Sequence, residues 1–417
     1  MKFNKSSQLL LVSAASLLAA VLITACGTAT TDFVYVSSAK AAGANSYGEI
    51  NVYEINGVSG SMRQILSSPY PSGGRNPVAE AVSSDYANLY VVNQDDNTIV
   101  QFMIGSDGKL YPQNTVNTPG IFPLAVAVSG TNLFVVDTYQ PLPACSTADP
   151  CPGSVGVFPL QPATTGANPT PSGAPGPTPL TNTATGADYW PLILPSNPKH
   201  IITPTAVNVL KSGADLFVTA YDASVTPNAG YVFGFSIGSS GALTALNGGV
   251  PFAAGVHPSA VASATETSGT YVYVTDSVNG NVLGYSFASG LLTSLSGSPY
   301  PAGNLPAAIV ADPAYPYVYV ANSTDGNIVA YSISSSGVLT RIGAYTAGIQ
   351  PVAIGIDPST NHFLFTANFT PDGVNGTVSG FELSPTAGTL VDTQNSPYPS
   401  NAQPTAVAAV PHGSTTH

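Results

Sequence analysis

The chain repeats itself, and the repeat decides what it can fold into. Each unit opens on a proline and a short strand of small apolar residues. It passes to a strand of aromatics and valines that ends at Asn or Asp, and then to a third strand of alternating character. The pattern is plainest in the blocks from Pro77 (PVAEAV, LYVVN, TIVQFMI), Pro258 (PSAVAS, YVYVTD, NVLGYSF), Pro306 (PAAIVA, YVYVAN, NIVAYSI) and Pro351 (PVAIGI, FLFTAN, TVSGFEL), and the blocks from Pro123 and Pro204 follow it. Successive starts lie 46, 81, 54, 48, 45 and 53 residues apart. With a fourth short segment such as Ser68-Pro69-Tyr70-Pro71 or Ser298-Pro299-Tyr300-Pro301, each unit has the four strands and the length of a propeller blade.

The two ends of the repeat complete each other. Pro404 opens a further first strand (PTAVAAV) with no strands after it, while Phe33–Val36 and Glu49–Ile55 form a second and third strand with no first. The expectation is therefore an all-β, seven-bladed propeller over residues 33–411. Its ring closes by pairing the C-terminal strand with N-terminal ones, which leaves no open sheet edge at the joint. Composition agrees: 44% hydrophobic residues with only 7% charged excludes a disordered polyelectrolyte, and 37 prolines exclude a coiled coil. First strands carry small residues (Ala79, Ala81, Ala125, Ala127, Ala353, Gly355) where blades converge on the axis, and aromatics appear where the blades diverge.

The YVYVTD and YVYVAN strands, the Pro-led strand before them and a G-x-L run after the third strand (Gly108-Lys109-Leu110, Gly241-Ala242-Leu243, Gly337-Val338-Leu339) resemble the YVTN/6-phosphogluconolactonase-like seven-bladed propellers. That resemblance covers nearly all of residues 33–411 and carries architecture more than activity, since the repeated residues are structural. It implies lactonases that combine His, Glu and Arg around the channel to polarise a lactone carbonyl and direct water onto it. The His-Pro-His and Asp-Leu-Gly runs frequent in enzymatic relatives read His257-Pro258-Ser259 and Asp276-Ser277-Val278 here, so both are incomplete.

The first residues carry an address. Lys2 and Lys5 precede an apolar stretch from Leu9 to Ile23, which reads as an export signal over residues 1–25. The run Ile23-Thr24-Ala25-Cys26-Gly27 resembles the lipobox of bacterial lipoproteins. It implies lipidation of Cys26, a tether over 26–32, and a cell-envelope location at the periplasmic or outer-membrane/cell-surface face, with Gly27 not marking inner-membrane retention. Cleavage removes Lys2 and Lys5 and takes the charge below the −12 of the full chain. That balance disfavours nucleic acid and anionic lipid as partners, leaving the N-terminal lipid as the one membrane contact. Cys145 and Cys151 sit in a Pro-rich loop of an exported chain and are expected to form a local disulfide.

The 81-residue step holds two Pro-, Thr-, Gly- and Ala-rich stretches, Tyr139–Gly153 and Gln161–Lys199, so residues 139–200 are expected to be excursions from blade three rather than a second domain. They read as a lid, a contact surface or passive solvated loops. Residues 412–417 form a tail.

Few residues point to chemistry. Glu80 stands where the other six repeats have Val126, Val207, Val261, Ile309, Ile354 and Val407, so a carboxyl occupies an interblade position and must find a partner, protonate or face a wet channel. Arg75, two residues before the same proline, is its expected partner. His257 before Pro258 and His200 near Pro204 enter first strands and are candidate general bases. Asn93, Asp137, Asp276, Asn322 and Asn368, which end second strands, are expected to cap the following turns. Asp95-Asp96 and Asp372 lack the spacing of a calcium loop, and no metal or cofactor is expected. Two readings follow. One is a propeller whose Tyr-, Asn-, Ser- and Thr-rich loops bind an envelope protein, peptide or glycan. The other is a hydrolase of a small lactone using Glu80, Arg75 and His257 or His200 as catalytic residues, and it requires those side chains to converge.

Overall fold

The computed structural model describes residues 30–39, 47–143, 145–146, 148–162, 172–176, 178–358, 363–370, 375–400 and 403–412. The expected signal, Cys26, most of the tether, Asp372 and most of the tail lie outside them. Seven antiparallel sheets are arranged in a ring. Their innermost strands are Gln403–Pro411, Pro77–Val82, Ile121–Ser129, Ile202–Val209, Pro258–Glu266, Pro306–Ala311 and Pro351–Ile356, and each touches the next, the last returning to the first. Blade one is assembled from both ends of the chain. Strand Thr30–Ala39 pairs on one side with Tyr47–Asn56 and on the other with Gln403–Pro411, with Phe33 opposite Val410 and Val36 opposite Val407. We number the other blades two to seven from the prolines Pro77, Pro123, Pro204, Pro258, Pro306 and Pro351.

The inner strands are only part-buried although they lie at the centre of the molecule, whereas second strands such as Asn88–Asn93, Tyr317–Asn322 and Phe363–Asn368 are buried throughout. A solvent-lined channel along the axis accounts for that inversion. In all seven blades the pairing of inner and second strands slips by one residue immediately after the proline, a bulge that turns the strand at the channel end. We call this end the mouth.

The fourth strand differs from expectation. It starts at the leucine of the G-x-L run, with Leu110 opposite Ile104, Leu243 opposite Ile237 and Leu339 opposite Ile333. The Ser-Pro-Tyr-Pro segments instead return to the start of the third strand, Tyr300 opposite Val282 and Tyr398 opposite Val378. Both segments share the outer edge of one blade.

The repeated aromatics join blade to blade. Gly337 turns in the left-handed region (φ 79°), and a Cβ there would lie 2.2 Å from the Tyr271 ring of the preceding blade. Two residues on, the Tyr273 hydroxyl donates to Gly337 O at 2.8 Å. The same pair of contacts links Phe33 and Tyr35 to Gly108, and Tyr317 and Tyr319 to Gly388. Phe363 meets Gly60 and Asn132 meets Gly241 in the same way. Each glycine supplies both a conformation L residues avoid and the room for a neighbouring side chain.

This hook also corrects the passive-loop reading of the excursions. Gly173, inside the second excursion, accepts the Tyr90 hydroxyl at 2.6 Å, Ser172 O takes Gln101 Nε2, and Pro175 O takes Asn114 Nδ2, so the excursion clamps blade two. Its last residues, Trp190, Leu192 and Leu194, are buried between blades three and four, with Trp190 Nε1 donating to Leu243 O at 2.8 Å. The apolar residues scattered among its prolines supply the contact. The first excursion lies at the mouth and carries the Cys145–Cys151 disulfide, while the second leaves from the opposite end.

Gly337→Ala is expected to destabilise the ring by about 1–3 kcal/mol through overpacking alone. Tyr273→Phe, which removes one hydrogen bond and little volume, should cost about 0.5–1.5 kcal/mol. Urea unfolding midpoints at constant m-value test both, and a Gly337→Ala protein as stable as wild type would contradict the hook.

Candidate binding site at the channel mouth

A second recurring device shapes the mouth. Three residues before the inner-strand proline stand Gly74, Gly120, Gly255, Gly303 and Gly348, and a Cβ on any of them would lie 2.1–2.8 Å from an atom of Asn93, Asp137, Asp276, Asn322 or Asn368 respectively. The Asx side chains are fully buried; three of them bond back to the connection that enters the strand, while Asn322 donates to Asn327 and Asn368 to Thr377 and Ser379 of the third strand. Asp137 accepts from Gly120 N, Asp276 from Val256 N and His257 N, and Asn93 donates to Ser72 O. Asp276 also caps its own turn, taking Val278 N and Asn279 N. The expected turn cap is seen at Asp276, and the other Asx side chains bond to the entering connection or to the third strand instead. Blade four has Ile201 in place of the glycine and Ala220 in place of the Asx, so the two partners are absent together. This Gly-x-x-Pro signal stands in the sequence and was missed.

With glycine, Asx and proline fixed, two positions per blade remain to line the channel end: the residue before the proline and the residue after the Asx. The first set is Asn76, Phe122, Thr203, His257, Leu305, Gln350 and Gln403. The second comprises Gln94, Thr138, Tyr221, Ser277, Ser323, Phe369 and Ala39, each joined to its partner by backbone pairing or, at Thr138, by its hydroxyl. Asn76, Phe122, Leu305 and Gln350 hold φ of 54°, 55°, 56° and 49°. A side chain in that left-handed region costs about 1–2 kcal/mol relative to glycine.

The sequence-derived candidates divide among four places. Arg75 does not reach Glu80. It pairs with Asp96, Nη2 to Oδ1 at 2.6 Å, and also bonds Asp95 O, because the turn after Asn93 lies beside it on the exposed rim. Glu80 lies between blades one and two, where its carboxylate takes the Ser37 hydroxyl and the Ala408 amide, and its Oε1 is shut from solvent without a partner among the described residues. Burial outweighs these bonds and a further one from the Ser37 amide, and pushes Glu80 up to about 8. The two histidines do sit at the mouth. His257 Nδ1 is 3.0 Å from Ser277 Oγ, and its ring stacks on Tyr221 with centroids 4.1 Å apart. His200 Nδ1 is 2.6 Å from Oδ2 of buried Asp222. Tyr221 and Asp222 are successive residues of one strand and so face opposite sides of blade four, which keeps the imidazoles apart. The constellation that the hydrolase reading requires is not assembled. Among the described residues no group of three His, Cys, Asp or Glu side chains could hold a metal.

Two further carboxyls behave like Glu80. Burial, with the Asp357 carboxyl beside it, pushes Asp32 up to about 8, and burial pushes Asp137 up to about 7 against its bonds from Thr118 and Gly120. All three bind protons more tightly folded than unfolded. Their stabilisation is complete below the unfolded values, 4.5 for Glu80 and 3.8 for the aspartates, and is lost as pH rises through 7 to 8. The melting temperature should fall between pH 5 and pH 8, and Glu80→Gln should fall less than wild type over the same interval. Equal slopes for the two proteins would place the Glu80 carboxyl in water.

Residues 231–408 match the family model described as "Lactonase, 7-bladed beta-propeller". In structure the chain is similar to a putative 6-phosphogluconolactonase of Bacteroides fragilis, at 18% identity and TM-score 0.65, covering 92% of this chain and 99% of that one. It is similar also to the periplasmic gluconolactonase of Pseudomonas aeruginosa, at 18% identity and TM-score 0.65, with 91% and 99% covered. At such identity these neighbours establish the fold. No curated protein matches the chain in sequence. By the arrangement of its sheets the chain is a seven-bladed β-propeller, and over residues 231–408 it is similar to the seven-bladed lactonase family.

Proposed function

We propose that the chain is a lipid-anchored, extracytoplasmic propeller whose mouth binds an uncharged, hydroxyl-rich ligand, a glycan. The observation that carries this is the strained ring of side chains. Four blades keep Asn, Phe, Leu or Gln at a backbone conformation that glycine would adopt at lower cost, and strain retained at a channel end marks a binding surface. The chemistry of the ring fits a neutral sugar. Asn76, Gln94, Thr138, Ser277 and Gln350 offer amides and hydroxyls, the stacked Tyr221 and His257 rings offer an apolar face, and Arg75 is neutralised by Asp96. Export by the signal over residues 1–25 and lipidation at Cys26 rest on the sequence, and the periplasmic address of the Pseudomonas neighbour supports an envelope location. An envelope protein or peptide would meet the same surface through protein-borne glycans or amide-rich loops.

A titration calorimetry panel of neutral and acidic oligosaccharides tests the reading. A neutral member should bind, and Tyr221→Ala should weaken it about tenfold, equivalent to about 1.4 kcal/mol. Binding confined to acidic sugars, or untouched by Tyr221→Ala, would refute it.

One observation favours a second reading, hydrolysis of an uncharged lactone. Asp222, 2% exposed, fixes His200 by Nδ1 and leaves Nε2 without a protein partner among the described residues, as a general base requires. Acid release from sugar, aryl and acyl lactones should then fall at least a hundredfold in His200→Ala and persist in Glu80→Gln. Turnover that His200→Ala leaves intact would exclude this dyad.

A further inference from the structure

The direction in which the chain leaves the ring decides which end the lipid holds. Strand Thr30–Ala39 runs toward the mouth, since Ser38 pairs with Pro404 there, while Asp32 pairs with Pro411 at the far end. The described chain therefore starts at the end opposite the mouth, where Thr30 pairs with Asn56. Cys26 precedes Thr30 by four residues. Four residues reach at most about 14 Å fully extended. Strand Thr30–Ala39, ten residues long, spans the ring from that end to the mouth, about 30 Å at roughly 3.3 Å per residue. A lipid on Cys26 cannot pass along the side of the ring to bring the mouth to the bilayer.

We propose that the lipidated propeller stands on its far end, with the blade-one corner nearest the leaflet and the mouth turned toward the aqueous phase. The proposal rests on the lipidation of Cys26 given above. The corner beside the exit suits contact with lipid headgroups. Val58, at the tip of the turn after Asn56, is 94% exposed, and Arg63, ion-paired with Glu54 but 80% exposed by its side chain, lines the cleft of about 170 Å³ that Thr30 and Asn56 also line. An apolar tip beside an acyl anchor enters a membrane interface, and the aliphatic stem of Arg63 can lie along it while its guanidinium stays with Glu54. On the rest of the far end Asp85, Asp107, Glu266 and Asp312 outnumber Lys109, which pairs with Asp107, and Lys211, so an anionic leaflet disfavours the remaining blades and leaves blade one as the point of contact.

The chain without added substitutions has Cys145 and Cys151 in a disulfide, so single thiol reporters are available at Val58→Cys on the far end and Val278→Cys, 64% exposed, in the mouth-side turn of blade five. The lipidated full chain is reconstituted in vesicles of phosphatidylethanolamine and phosphatidylglycerol containing a headgroup spin label. Each thiol carries the same fluorophore. Quenching at position 58 should exceed that at 278 severalfold, and raising the salt should leave position 58 quenched while the acyl chain holds. Equal quenching, or stronger quenching at 278, would overturn the orientation with the anchor intact. Mass spectrometry of the N-terminal peptide separates the remaining failure: a Cys26 without acyl mass would remove the anchor and, with it, the orientation.

Discussion

The contact on which the ring depends is the seating of one blade's left-handed glycine against the aromatic of the blade before it. Gly108, Gly337 and Gly388 each receive an aromatic face and a tyrosine hydroxyl from the preceding second strand. A single blade thus buries its aromatics only when its neighbour is in place. Blade one gives Phe33 and Tyr35 to Gly108 and receives Phe363 on Gly60, although its inner strand comes from the far end of the chain. Loss of the closing strand would open a blade and disturb both of its interfaces, so the ring should unfold as one cooperative unit rather than blade by blade.

The hooks lie at the far end and the glycine–Asx clamps at the mouth, and that separation frees particular positions for function. Proline sets the bulge, glycine admits the Asx side chain, and Asx ties down the connection. The residues before the proline and after the Asx carry none of these duties. They differ from blade to blade, from Asn76 and Gln94 to His257 and Ser277 to Gln350 and Phe369, while the frame between them repeats. A regular scaffold presenting an irregular rim is the arrangement by which one fold serves many ligands.

Blade number and ring closure were legible because period and terminal fragments are long-range properties of a sequence. The fourth strand was less so: Ser-Pro-Tyr-Pro is the more conspicuous segment, but two short segments share that edge, and only pairing shows that Leu339 opposite Ile333 opens the strand. The unusual setting of Glu80 was readable by comparison with the valines and isoleucines of the other repeats. The fate of Arg75 was not, since Asp96 is brought beside it by a turn whose path the sequence does not display. Both histidines stand at the mouth, and their separation by the alternation of Tyr221 and Asp222 required the path of residues 192–201 into blade four.

Glu80 shows why a raised carboxyl is not by itself an active-site mark. Displaced pKa values gather at catalytic sites because chemistry needs them, but burial between packed sheets produces the same displacement. Glu80 touches Ser37 of the N-terminal strand and the Ala408 amide of the C-terminal strand, the two strands that close the ring. Asp137 holds the connection into blade three, and Asp32 lies near Pro411 at the far end of the same seam as Glu80. None of the three belongs to the ring of residues at the mouth. Their protons are held by the packing of the ring, and the mouth in front of them presents uncharged side chains such as Asn76, Gln94 and Gln350.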